Sequence, residues 1–272
     1  FFVNPAEVLS DSGTLRKEYF MMPHQLNWQE ICQMIPKRKA DAQKGDFGRL
    51  LCITGSRNMP GACLLSTQAA LRGGAGLVTV ATAPENPMRL AAAAPEAMWL
   101  PLETDEAGFL RSSDQNRKTL EKQLSRANAV LLGCGLGVTE ETRRLVHWVL
   151  EQAVCPVVLD ADGLNCAVSC IELSRRTGKD WILTPHPGEM ARLTGHSIPQ
   201  IQENRVETAT QFAAAYPVTL ALKGAGTLVA QRSRLAQNPT GNPGMSRGGS
   251  GDVLAGLIAA FAAQGIPSWE AA

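Results

Sequence analysis

The alternation of short apolar runs with longer helical stretches is the feature of this chain that most restricts its fold. Residues 50–54 read as a buried strand closed by Gly55 and Ser56; residues 62–71 then take helical spacing until Gly73 and Gly74 stop them. Further short runs rich in apolar residues fall at 77–81, 129–132, 156–159, 181–183, 219–222 and 227–230, with helical stretches at 139–152, 198–215 and 252–264. A strand buried on both faces is apolar throughout, whereas one with a face to water alternates. The pattern predicts an α/β fold, a mostly parallel sheet covered by helices on both sides. Ligands of such sheets sit outside the carboxyl ends of the strands. The polar and glycine-rich motifs of this chain fall where strands end, so they are expected to share one rim. Residues 1–43 carry no strong periodicity and read as an extension or linker, with Lys37, Arg38 and Lys39 solvated.

The balance of charge narrows the partners. The net charge is +1 and acids and bases are mixed along the chain, which leaves no electrostatic footprint for nucleic acid or anionic lipid. No apolar run approaches the roughly 20 residues that span a bilayer, and no secretory leader pattern is present. Seven cysteines occur without a C-x-x-C pair, several of them inside apolar runs, where cysteine acts as a small hydrophobe. A reducing cytoplasm fits this usage. The chain starts at Phe1 and stops at Ala272 as a new helical pattern opens at Ser268, Trp269 and Glu270, which reads as a piece of a longer polypeptide.

Four rim segments could carry chemistry. The first runs Asn238-Pro-Thr-Gly-Asn-Pro-Gly-Met-Ser-Arg-Gly-Gly-Ser-Gly-Asp252 straight into an apolar helix. Free amides at a helix start, aided by the helix dipole, make an anion site, and glycines let the backbone approach phosphate closely. A carboxylate in that first turn suits a general base that draws a proton from an attacking hydroxyl. Asp252 could instead be a plain N-cap. The second, Leu183-Thr-Pro-His-Pro-Gly-Glu189, holds His186 and Glu189 at a turn fixed by two prolines; Glu189 could hold a water on a metal ion or simply cap the helix. In the third, Leu159-Asp-Ala-Asp-Gly-Leu-Asn165, Asp160 and Asp162 are magnesium ligands or turn residues. The fourth, Lys223-Gly-Ala-Gly-Thr227, is a phosphate-facing loop or a bare hairpin turn. Gly133-Cys-Gly-Leu-Gly137 adds backbone donors, but Val138 breaks the dinucleotide fingerprint; no P-loop or nucleophile elbow occurs.

From about Lys44 onward these segments together resemble the carbohydrate-kinase-like domain of the NAD(P)H-hydrate repair proteins. The ordered set also includes Lys44-Gly-Asp-Phe-Gly48, Gly55-Ser-Arg-Asn-Met-Pro-Gly-Ala62 and Ala70-Leu-Arg-Gly-Gly-Ala-Gly76. The resemblance implies a ribokinase-like three-layer sandwich over residues 44–272. It implies a dehydratase acting on the S epimer of hydrated NADH or NADPH, with ADP in bacteria or ATP in eukaryotic relatives, and Mg2+. The C6 hydroxyl would be phosphorylated first; phosphate would then leave and restore the dihydronicotinamide, giving AMP and phosphate. By position, Asp252 is the base, and Gly249, Ser250 and Gly251 form the anion hole. Lys223, Gly224, Ala225, Gly226, Thr227 and Gly251 contact the adenine nucleotide. Ala62, Gly135 or Gly137, His186 and Asp252 line the hydrated-dinucleotide site. Glu189 takes the place of the magnesium-linked glutamate, and Asp160 is a second metal candidate. Arg247 and Ser250 stand where many relatives carry threonine, and the family's closing helices would lie beyond Ala272. A homo-oligomer is implied, and residues 1–43 would be the join to an upstream epimerase domain. A kinase for a small hydroxymethyl compound would use the same transfer machinery. A nucleotide-binding module without turnover would not need Asp252.

Overall fold

A computed structural model describes residues 22–272. Ten strands form one sheet in the order β1-β10-β9-β8-β7-β6-β5-β2-β3-β4. The strands are β1 His24–Gln25, β2 Arg49–Ile53, β3 Leu77–Thr82, β4 Met98–Pro101, β5 Ala129–Leu132, β6 Val157–Leu159, β7 Trp181–Leu183, β8 Val218–Leu222, β9 Leu228–Gln231 and β10 Arg234–Gln237. From β8 across to β4 every pairing is parallel; β9 runs antiparallel between β8 and β10. The central strands are buried at every residue, which is why they read as unbroken apolar runs.

The α-helices are α1 Trp28–Met34, α2 Pro60–Arg72, α3 Asn86–Leu90, α4 Asp114–Leu124, α5 Glu140–Gln152, α6 Asp162–Ala167, α7 Leu173–Thr177, α8 Pro187–Thr194, α9 Ile198–Glu203, α10 Arg205–Ala215, α11 Ser250–Ala263 and α12 Ser268–Ala271. They separate by face. Leu120, Leu145, Leu164, Met190 and Phe212 bring α4, α5, α6, α8 and α10 onto one side. Cys63, Leu90, Ile258 and Ala271 bring α2, α3, α11 and α12 onto the other. This is the three-layer sandwich expected from the alternation. No helix among the described residues is long and apolar enough to cross a membrane.

Departures from the sequence reading have local causes. The stretch 198–215 is two helices, because Asn204 leaves helical geometry at φ −124°, ψ 43°. Helix α4 was not foreseen: it is polar apart from Leu120 and Leu124, which turn inward. Strands β4 and β10 also escaped notice, since half of each lies outside the core and neither makes an unbroken buried run. Arg38, read as solvated linker, docks instead: its guanidinium lies 3.8 Å from the Phe47 ring centre and donates to the Gly74 carbonyl at 2.8 Å. Strand β1 comes from the same segment and pairs with β10. The buried cysteines act as apolar filling; burial pushes the Cys170 thiol up to about 12 and Cys166 up to about 11.

The seat of α11 bears most on the site. A Cβ at Gly256 would stand 2.3 Å from the Ser66 carbonyl oxygen and 2.9 Å from the Ala69 Cβ, so α11 and α2 meet backbone to backbone. Gly256→Val is expected to lower stability by about 1–3 kcal/mol through overpacking, and to disturb the helix that carries Asp252. A denaturation midpoint equal to wild type would show that this close approach is not needed.

Candidate active site

Five strand ends and one helix start build the rim. Beyond β5, Gly133 takes φ 134°, where a Cβ would lie 2.0 Å from the Asp160 carbonyl; only glycine lets the two loops cross there. Gly135 sits against Ala62, as a Cβ on it would come within 2.9 Å of that methyl. The two residues predicted to line one substrate site are thus neighbours. Gly137 faces the Phe109 ring, and its N–H donates to Asp162 Oδ2 at 2.8 Å. Asp162 is therefore committed to bracing this turn. Between the two acids Ala161 holds φ 49°, ψ −118°, a conformation that costs about 1–3 kcal/mol and collects at functional sites.

Asp160 is fully buried and anchors the centre. One of its oxygens accepts from Thr184 Oγ1 at 2.6 Å and from Lys223 Nζ at 2.7 Å. Its second oxygen faces the Cys134 thiol, at 3.8 Å, and Cys134, Asp160 and Asp252 present ligand atoms within 4.8 Å of one another. Lys223 directly follows β8 and opens the tight turn to β9, so residues 223–227 close an antiparallel hairpin at the rim. Its ammonium lies 3.8 Å from Glu189 as well. Burial opposes the Lys223 charge, but Asp160 and Glu189 outweigh it and hold the pKa above the ordinary lysine value.

His186 and Glu189 both cap and line. The Glu189 carboxylate accepts from the His186 amide at 2.8 Å, and His186 Nδ1 accepts from the Gly188 amide at 3.0 Å. Because Nδ1 accepts, the ring proton sits on Nε2, which faces Glu189 Oε1 at 3.4 Å. Burial, then Lys223 and Arg192, push the His186 pKa down, so the ring is neutral at pH 7. Burial pushes the Glu189 carboxyl up, against the pull of Lys223.

Asp252 lies on the third residue of α11, and the N-cap is Gly249 at φ 94°. The plain N-cap reading of Asp252 is thereby overturned: the aspartate is free for other work. The amides of Gly251 and Asp252 have no protein acceptor among the described residues. Gly251 is placed so that a Cβ would lie 3.4 Å from Lys223 Nζ and 3.8 Å from Asp160 Oδ2. The predicted base, the predicted anion hole and Lys223 therefore converge, although they are far apart in sequence. Burial, then the nearby Asp160 charge, raises the Asp252 pKa above the ordinary aspartate value.

Sequence reasoning missed Cys134, Thr184 and Arg205. Cys134 and Thr184 lay inside quoted motifs, but nothing in the order of residues says that their side chains meet Asp160. Arg205 opens α10 and its guanidinium reaches back to the 223–227 turn, donating to the Lys223 carbonyl at 3.1 Å; this contact has no signature in sequence.

The mostly parallel sheet between two helical layers is the ribokinase-like fold: the structure of a ribokinase-like superfamily protein of Enterococcus faecalis aligns with a TM-score of 0.77 at 29% identity, covering 92% of this chain and 83% of that one. A carbohydrate-kinase family model described as NAD(P)H-hydrate dehydratase matches residues 50–272, and this chain belongs to that family. An ADP-dependent (S)-NAD(P)H-hydrate dehydratase of Xanthomonas campestris is 38% identical over 230 residues, covering 84% of this chain and 77% of that protein. A bifunctional NAD(P)H-hydrate repair enzyme of Coxiella burnetii is 39% identical over 248 residues, which is 91% of this chain but 47% of that protein, so the chain spans about half its length. The structure of an ADP/ATP-dependent NAD(P)H-hydrate dehydratase of Bacillus subtilis, co-crystallized with ATP and Mg2+, aligns with a TM-score of 0.75 at 30% identity, covering 92% of this chain and 86% of that one.

Proposed function

We propose that this chain dehydrates the S epimer of hydrated NADH and NADPH, with ADP as the phosphoryl donor. The observation that carries the reading is Asp252 beside the unengaged amides of Gly251 and Asp252 at the start of α11. Asp252 takes the proton of the C6 hydroxyl as that oxygen attacks the terminal phosphorus of ADP. The amides of Gly251 and Asp252, with Gly249 and Ser250 around them, receive the charge of the phosphoryl group in flight. AMP departs. The C6 oxygen then leaves as phosphate, a far better leaving group than hydroxide, and the ring loses a proton to restore the dihydronicotinamide. Lys223 and the hairpin that follows it face the nucleotide. Ala62, Gly135 and the neutral His186 border the hydrated ring.

The charge of the site bears on the metal. Asp160, Glu189 and Asp252 place three carboxylates around the single ammonium of Lys223. A phosphate-bearing ligand entering that surplus of negative charge calls for a cation, and a hard, oxygen-seeking ion such as Mg2+ fits carboxylates. Asp160 and Glu189 would hold it, Glu189 through water. When bound, it neutralises charge on the nucleotide phosphates. We also read residues 1–43 as the join to an epimerase domain, in keeping with the bifunctional relative.

The test mixes the protein with hydrated NADH, Mg2+ and either ADP or ATP. Recovery of dihydronicotinamide absorbance with release of AMP supports the reading. A stable phosphorylated product would make the chain a kinase.

The raised pKa of Asp252 sets the expected pH dependence. The base must be ionised, so kcat/KM is expected to fall on acidification at a pH above the ordinary carboxylate value of about 3.9. Folding raises this pKa, so the native state binds the proton more tightly than the unfolded chain, and stability is lost as pH rises through the folded-state pKa. Asp252→Asn removes that loss and is expected to melt higher than wild type at neutral pH. A lower melting temperature would contradict this picture.

A further inference from the structure

We propose that Arg205 is a positioning residue: it holds the 223–227 hairpin in the shape that receives the adenine nucleotide, an inference that rests on the nucleotide reading above. Arg205 is the first residue of α10 and is partly buried. Its guanidinium donates to three carbonyls of one turn: Nη1 to Lys223 at 3.1 Å, and Nη2 to Leu222 at 3.1 Å and to Gly226 at 3.3 Å. Among the described residues no carboxylate pairs with it. A cation withdrawn from water without a counter-ion is costly; burial accordingly pushes the Arg205 pKa down.

A two-stranded turn does not need such a residue, since hairpins close on backbone bonds alone. What the guanidinium adds is direction. It gathers the carbonyls of Leu222, Lys223 and Gly226 to one point, while Gly224 and Gly226 take φ 145° and φ 67°. The amides of Gly224, Ala225 and Gly226 are left with no protein acceptor among the described residues. The Lys223 carbonyl belongs to the same peptide unit as the Gly224 N–H, so the guanidinium bonded to it also polarises that peptide and strengthens the Gly224 N–H as a donor. The same turn carries Lys223, whose amide is tied to the Pro185 carbonyl and whose ammonium is tied to Asp160. Arg205 therefore acts through the hairpin and not on the reacting atoms.

Gly224 offers a second handle. A Cβ there would stand 2.7 Å from Arg205 Nη1, so Gly224→Ala should push the guanidinium off the turn without removing it. The experiment compares Arg205→Ala, Arg205→Lys and Gly224→Ala with wild type by calorimetric titration with ADP and Mg2+, by KM for ADP and for hydrated NADH, by kcat and by melting temperature. In Arg205→Ala the Kd and KM for ADP are expected to rise by about tenfold or more, while the KM for hydrated NADH and kcat change by less than about threefold. Arg205→Lys should recover part of the affinity, because an ammonium cannot span three carbonyls as the planar fork does. Gly224→Ala should repeat the pattern with the arginine still present. Wild-type ADP affinity in folded Arg205→Ala, or equal weakening of both ligands, would overturn the proposal. If Arg205→Ala does not fold, wild-type ADP affinity in both other variants overturns it. Loss of the dehydratase reading would show separately, as absence of turnover in the parent protein, and the ADP titrations would still decide the role of Arg205.

Discussion

Replacing Asp252 with alanine is expected to abolish turnover while the protein still folds and binds ADP. The side chain is half-buried on the first turn of α11, beside Asp160 and the Cys134 thiol. It caps nothing, so its removal takes away no helix-start hydrogen bond. A positioned general base contributes about 10²–10⁴ in rate, and the loss should reach or exceed the upper end if Asp252 also orders the phosphoryl group over the Gly251 amide. The loss should fall on kcat rather than on the KM for ADP, since the base acts on the hydroxyl and not on the nucleotide. Asp252→Asn separates the roles: it keeps the shape, loses the proton acceptor and should be equally inactive. Near-normal turnover in either variant would remove Asp252 from the chemistry.

The second large effect is expected at Lys223. Its ammonium and the Asp160 carboxylate form a pair whose side chains are 17% and 2% exposed. Lys223→Ala leaves Asp160 buried without its counter-charge, and breaking such a pair from one side costs about 3–5 kcal/mol. Glu189 loses the same partner, so the damage is shared by two carboxylates. The variant should therefore melt well below wild type and bind ADP weakly. Joining Lys223→Met to Asp160→Asn removes both ends of the pair and should restore much of the stability but not the activity. A single variant as stable as wild type would mean that water reaches Asp160 freely. A nucleotide KM unchanged in Lys223→Ala would place the nucleotide elsewhere.

How much of this could be read from the residues depended on whether the signal was local. The central strands were legible because burial on both faces leaves an apolar run, as in residues 129–132 and 181–183, where the expected limits match the strands. Strand β4 at the sheet edge, and β10 between the two-residue β1 and β9, lack burial along their whole length and so lacked the signal. The four rim motifs were legible as loops rich in glycine, proline and acids, and the parallel sheet explains why they share one end. Their internal division of labour was not. Asp160 and Asp162 look alike in sequence, yet one anchors Lys223 and the other braces Gly137. The cap reading of Asp252 failed because a helix start is set by backbone dihedrals, and Gly249 takes the left-handed conformation three residues before the expected start at residue 252. Thr184, Cys134 and Arg205 act across long sequence separations, through contacts that exist only once the sheet has brought strand ends together.

The most direct test of the account follows the oxygen of the C6 hydroxyl. Hydrated NADH carrying heavy oxygen at that position is turned over with ADP and Mg2+, and the released phosphate is weighed by mass spectrometry. If Asp252 primes the ring alcohol to attack phosphorus, the heavy oxygen appears in the phosphate. Unlabelled phosphate, with the heavy oxygen released to water, would contradict it.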